Sequence, residues 1–444
     1  TANFIALEWS DGVSQTESGL STDELHTLAE VQRQLASCPV VFAWDGSSYQ
    51  FISDVLGVGG LGFLAKPGVY VTPRPFERYL MDSDQLRARN GRYLIKLTEP
   101  MEEAAYLDAA TIQVYDLPDD WSLALDERMG AGDPVVTGRA ITYRRSTLPS
   151  RVTNQQGDDV TSLVSYRDTH APDPGAIDRR FVGLLAENQV LTVEFEEPID
   201  TTGAVLLADG WLEYGYSQTV FAAWQAGKRY QAPSLEAKDR SGNWHPLLQE
   251  FGYPAGMPKQ MAIPLTNLPL GTNAIRLSSN MEIYWDRLQI VWEESLEDVS
   301  PKTIQPITAR IAKIGFPKRT TGAQRLPDYD YKDRSPYWDT KFQAGFYTSL
   351  GEATELIEKV DGALAIIGGG EEIHLEFPAV APVQPGHRRY FVLDFRGYAK
   401  DMDLYTQHGE TIRPMPNGNK LDPQSLARRN RLHERYNVRF QAGL

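Results

Sequence analysis

The chain has 444 residues, more than one hydrophobic core usually serves, and its 41% hydrophobic and 10% aromatic content is that of a folded protein rather than a disordered one. A formal net charge of −15 argues against nucleic acid or an anionic membrane surface as partner. No apolar run is long enough to span a bilayer as a helix, and a single cysteine allows no internal disulfide.

The first residues, Thr1 onward, show no initiator Met, no basic n-region and no apolar h-region, the pattern of a mature product or of part of a longer protein. Residues 4–18 read as a small hairpin turning at Ser10-Asp11-Gly12. Ser21 and Glu24 fit a capping box, which predicts a short helix over about Thr22–Leu35. Cys38 to Ser53 predicts a second hairpin, two β-branched and aromatic runs around Asp45-Gly46, a pair suited to a type I′ turn. Alternation then predicts strands over 91–98, 110–116 and 139–144.

Residues 145–190 are polar and loop-like. Beyond them, 189–196, 203–209, 219–224, 234–239, 260–265, 274–278 and 282–292 are seven strand candidates separated by Gly, Asn, Asp and Pro. Residues 298–346, rich in Pro, Lys, Tyr and Asp, read as an extended arm. A helix is predicted over 348–360, then strands at 364–367, 372–377 and 389–395. The Arg-rich end should dock onto the acidic body or onto a neighbouring copy.

The fold class expected is therefore mainly β: tandem antiparallel β-sandwich or jelly-roll-like domains with a few short helices. The division expected is 1–36 as a small module remnant with a helical linker, 37–150 as a β domain and 151–297 as a jelly-roll-like sandwich. After these come 298–347 as the arm, 348–420 as a helix and β segment packing on the sandwiches, and 421–444 as a basic tail.

Motifs for chemistry are few. Gly57-x-Gly59-Gly60-x-Gly62 lacks the strand-turn-helix setting of a dinucleotide loop. The seven histidines fall at no metal-ligand spacing. Asp328, Asp330 and Asp333 offer carboxylate oxygens to a structural Ca²⁺, although Lys332 and Asp333 break the EF-hand pattern. Asp401 and Asp403 could hold sugar hydroxyls or a cation, with Tyr405 as a stacking platform, while Trp211 and Tyr214 are further aromatic candidates. Asp209, Glu213, Asp286, Asp401 and Asp403 are the acids from which a glycosidase-like pair would come. No other cofactor is implied.

Phe4-Ile-Ala-Leu-Glu-Trp-Ser-Asp-Gly-Val-Ser-Gln resembles the end of the ASPIC/UnbV module, with Ser10 where Pro is common. The segments Cys38 to Gly46, Phe51 to Gly57, Gly210 to Glu213, Asn280 to Asp286, Pro327 to Asp330 and Gly397 to Tyr405 are similar to the regions C-terminal to that module in large secreted bacterial proteins. Such proteins carry FG-GAP propeller repeats upstream, similar to cartilage acidic protein. The resemblance implies an exported, Ca²⁺-associated, non-enzymatic surface or matrix protein. With the jelly-roll pattern, the acidic charge and the absence of catalytic motifs it leads to the expectation of an extracellular, cell-surface or periplasmic module that binds glycan or protein. The family's Ca²⁺ sites lie in the propeller, so none is carried over. A polysaccharide-active enzyme and a subunit of a surface assembly are the alternative readings.

Overall fold

The computed structural model describes residues 4–8, 14–29, 38–130, 132–213, 215–296, 300–335, 341–416 and 421–443. The architecture is mainly β, with antiparallel pairing throughout its main sheets. Two sandwiches account for most of it, and the chain builds the first from both of its ends.

One sheet of the first sandwich runs Gly351–Glu352, Thr308–Lys313, Glu371–Pro378, Arg92–Thr98, Val40–Trp44, Tyr49–Asp54 in spatial order. The other runs Lys302–Ile304, Glu103–Pro118, His387–Asp401, Phe76–Asp82, with Ala365–Gly368 also on Glu103–Pro118. Alternate residues face inward from each: Val41, Ile95, Leu97, Ile311 and Leu375 meet Leu107, Ile112, Met81, Phe391 and Phe395 in one core. The two long strands also bury their outer faces, Tyr106 and Tyr398 on one cluster and Val392 on another, so they read as nearly continuous apolar runs. Gly397, at a bulge in their pairing, is required: a Cβ there would overlap the Tyr106 carbonyl.

The second sandwich is inserted between these segments. Its sheets are Ser146–Thr147, Ile283–Trp292, Ala204–Leu212, Lys259–Pro264 and Arg151–Thr153, Leu184–Glu194, Ala274–Met281, Ser234–Lys238, Trp244–Leu248. Leu206, Ile263, Leu288 and Trp285 from one face Val193, Leu235, Ile275 and Leu277 from the other. Between the sandwiches lies the hairpin Ser122–Leu125 with Ala140–Tyr143. Its Leu123 and Leu125 pack with Tyr390 and Val392 of the first sandwich, and Ala124 and Ile141 pack with Val205, Leu207 and Val291 of the second.

Several expectations change. The stretch read as an arm supplies Lys302–Ile304 and Thr308–Lys313 to the two sheets of the first sandwich, so it is partly core. The segment after it shares the core of residues 38–118 rather than packing on finished sandwiches. Residues 219–224 are not a strand but lie in the helix Ser217–Gln225, because a short apolar run fits either period and a distant carboxylate caps this one. The helix expected over 348–360 shrinks to Thr354–Ile357, since Gly351 sits at φ +113° and Gly351–Glu352 pairs as strand. Residues 21–29 are not helical, while the rest of that expected helix, like the turn at 10–12, lies outside the described residues. The hairpin at 40–54 forms, but Trp44 pairs Tyr49 across a loop in which Asp45 accepts hydrogen bonds from the Ser47 and Ser48 amides, so the turn is longer than type I′.

The basic end docks on the body. Asp422 caps the helix Pro423–Tyr436 by accepting from the Gln424 and Ser425 amides, with Pro423 at the first helical position. Leu432 is buried, Arg428 pairs with Asp361, and Arg439 with Glu371.

Candidate functional site

Against the apolar hairpin the two sandwiches meet through buried charge. Lys259 of the second sandwich reaches the Asp54 carbonyl at 2.7 Å, the Asp54 carboxylate at 3.2 Å and Glu77 at 2.5 Å. All three side chains are buried. Burial works against the ammonium charge, but Asp54 and Glu77 outweigh it and hold the Lys259 pKa up. Close by, Arg74 pairs with Glu127 at 2.7 Å, and Arg128 holds Asp126 with two nitrogens at 2.6 and 2.8 Å.

This ionic layer borders a cleft of about 290 Å³. The first sandwich contributes Cys38, Val58 and Phe63, and the stretch leading into Phe76–Asp82 contributes Val71, Thr72 and Arg74. Opposite stands the two-stranded ribbon in which Met129 pairs with Tyr253, extended by Val136. The turn Gly57–Gly59 lets this wall close on the strand end: a Cβ on Gly59 would sit 2.8 Å from the Gly397 carbonyl. The glycine-rich motif thus serves close packing beside a strand.

Ala399 and Asp401 close the cleft on one side, and Asp401 pairs in register with Glu103. The two carboxyl groups share a hydrogen bond. Glu103 is only 5% exposed, its Oε2 finds no donor, and the same holds for Oε2 of the fully buried Glu99. Two carboxylates cannot hydrogen-bond each other, so one must carry a proton. Burial, then the charge of Asp401, push Glu103 well above the usual carboxylate range. Burial raises Glu99 likewise, and it pushes Asp401 up to about 6. Glu103 is therefore the donor and Asp401 the acceptor. Among the described residues, none of the three forms an ion pair.

The residues singled out by sequence separate. Asp401 lies at the cleft. Asp403 accepts from the Gln218 amide at 2.9 Å and the Tyr405 amide at 2.8 Å, so it caps the helix Ser217–Gln225 from another part of the chain. Tyr405 is 40% exposed and stacks on Phe221, centroids 4.3 Å apart, with Trp224, 39% exposed, beside Phe221. Trp211 is 2% exposed, stacks on Tyr284 and donates to the Gln324 carbonyl, which places it in packing. Tyr214 lies outside the described residues.

Asp328 and Asp330 lie on the hairpin Pro317–Thr321 with Pro327–Arg334, where Asp330 accepts from the Lys332 and Asp333 amides. Those bonds hold its pKa below the usual carboxylate range. Asp333 lies 3.9 Å from Lys318. Among the described residues, no group of three or more His, Cys, Asp or Glu side chains is arranged to hold a metal ion. Of the other acids, Asp209 is held by Arg287 at 2.8 Å, and Asp286 accepts from the Asp168 and Thr169 amides. Glu213 is buried.

Sequence reasoning missed Arg74 and Cys38 as cleft residues, and Glu99 and Glu103 as the buried acids behind Asp401. Three acids between Glu99 and Glu103, in a stretch otherwise as apolar as a central strand, were the available signal. A broader, open groove of about 640 Å³ lies on the second sandwich, lined by neutral polar groups such as Asn188, Gln231 and Gln249, and has no buried acid.

No family model matches the chain, and no curated protein matches it. One solved structure with a remote likeness is VP17, a capsid protein of bacteriophage P23-77, at 10% identity and a TM-score of 0.10 over 72% of this chain and 96% of that one. Another is infectious bursal disease virus Gt strain, at 10% identity and 0.11 over 81% and 87%. At such scores neither bears on the fold or the function of this chain.

Proposed function

We propose that the chain is a non-enzymatic binding module of a protein exported from a bacterium, and that its partner is a protein that places an apolar group in the cleft between the sandwiches. The observation that carries this reading is the cleft itself. It lies at a junction of domains, it is walled mainly by apolar side chains, and its volume is near the lower end of the range for small-ligand sites. The apolar walls favour a protein side chain over a sugar, whose hydroxyls would lose water without replacement bonds. The exported setting is supported by the resemblance to the regions after ASPIC/UnbV modules.

The neutral probe 1-hexanol, titrated calorimetrically, tests the cleft. It is expected to bind saturably, and Val71→Trp, at an exposed position on the wall, is expected to weaken it at least about tenfold. The variant should melt within about 2 °C of the parent, since it alters surface rather than core. Absent binding, or binding indifferent to the substitution, would remove the reading.

A glycan partner is the second reading, and one observation favours it: the exposed pair Tyr405 and Trp224 flanking Phe221. Such rings can stack on sugar faces. A glycan array probed with and without Ca²⁺ should then give a selective hit that Trp224→Ala abolishes. A blank array would leave this patch without a carbohydrate role.

A further inference from the structure

We propose that the Glu103–Asp401 carboxyl pair is the recognition point of the cleft for a primary ammonium group on an apolar stem. The inference rests on the cleft being a binding site and names what it takes. Two buried carboxyl groups, Glu99 and Glu103, stand with the partly exposed Asp401 without a cation among the described residues, and Asp401 lines the cleft. Buried acids in that state are costly unless neutralised, either by protons or by a bound cation. No metal arrangement exists among the described residues, which leaves an organic cation as the complement. The walls at Val58, Phe63 and Met129 suit the stem of such a ligand and not a fully hydrated ion.

The charged groups facing the pair are Glu99 and Asp54, Asp403 on the adjoining loop, and Arg74 on the cleft wall. Arg74 is paired with Glu127. The local field is thus dominated by acids.

Binding exchanges one cation for another. In the empty cleft Glu103 donates its proton to the Asp401 carboxylate. The ammonium meets Asp401 on the cleft wall with Glu103 behind it, both become carboxylates, and the Glu103 proton passes to buffer. No covalent bond forms or breaks apart from that O–H. Binding therefore strengthens with rising pH until Glu103 would ionise unaided.

Calorimetric titration of the whole chain with 1-hexylammonium and 1-hexanol tests this. The ammonium is expected to bind at least about tenfold more tightly than the alcohol, the gain of one charge-assisted hydrogen bond. Asp401→Asn and Glu103→Gln should each remove most of that gain and leave 1-hexanol within about twofold. Titrations in buffers of different ionisation enthalpy should show proton release by the parent and none by Glu103→Gln.

If 1-hexanol binds and the ammonium binds no tighter, or if both variants keep the preference, the proposal falls while the cleft stands. If neither probe binds, the cleft reading falls and takes the proposal with it. N-acetyl-lysine amide against N-acetyl-norleucine amide separates the sources. A lysine preference identifies a partner's side chain, and a preference confined to hexylammonium identifies a free amine.

Discussion

Replacing Lys259 with Met is expected to cost about 3–5 kcal/mol of stability, the loss seen when one partner of a buried ion pair is removed. The side chain is almost wholly buried, and it is the ammonium that both Asp54 and Glu77 meet. Methionine fills similar volume, so the cost falls on the two stranded carboxylates and not on a cavity. The parent's contribution is complete at neutral pH, because a lysine whose folded pKa is raised loses its stabilising effect only in strong alkali. In the variant the sign reverses. Uncompensated acids gain protons on folding, so stability should recover as pH falls toward 4. Denaturant midpoints at pH 7 and pH 4.5 check this. A triple variant, Lys259→Met with Asp54→Asn and Glu77→Gln, should regain most of the loss, since an uncharged layer is no worse than a satisfied ionic one. A single variant within 1 kcal/mol of the parent at pH 7 would mean that the layer is hydrated in solution.

Local pattern carried much of this architecture. The alternation in 91–98 and the runs at 203–209 and 282–292 became the strands Arg92–Thr98, Ala204–Leu212 and Ile283–Trp292, and the turn residues around Asp239 became a turn between two strands, because strand formation answers to periodicity two. What periodicity cannot carry is pairing. Ile311 and Leu375 lie far along the chain from Val41 and Leu97, yet they share a core, and nothing in a window of a few residues says so. The insertion of one sandwich into another was invisible for that reason, and a Pro-containing, polar stretch read as an arm although three of its residues pair with Ile112–Val114. The helix at 217–225 failed for a related cause. Its N-terminal amide is satisfied by Asp403, distant in sequence, so no local cap announced it. Of the site, Asp401 and the exposed ring of Tyr405 were legible as acids and aromatics in a loop-rich stretch. Glu103 was not, because an acid in a strand ordinarily marks a solvent face, and only pairing with Asp401 turns it inward.

Asp401→Asn is expected to raise stability by about 2 kcal/mol at pH 7 and to leave it unchanged at pH 3.5. The parent carboxyl ionises near 6 in the folded chain and near 4 when unfolded, a gap of about two units at roughly 1.4 kcal/mol each, reduced by partial exposure. A group whose folded pKa is raised favours the fold below its unfolded value and loses that contribution as pH climbs through the folded one, so the penalty accumulates between about pH 4 and 6. Asparagine still accepts the Glu103 proton and carries no charge at any pH. Parent and variant melting curves should therefore diverge across that window and run parallel above it. If they stay superimposed, the Asp401 charge costs the fold nothing, and the cleft has no unmet charge to offer a ligand. If they diverge, the chain holds at neutral pH an acid that weakens its own fold, at a place where a domain junction opens into a cavity. Strain of that kind is retained where a partner relieves it. The same substitution that stabilises the empty protein should then weaken its grip on an ammonium, and the two effects, opposite in sign and read on one variant, separate a binding device from a buried acid that is merely tolerated.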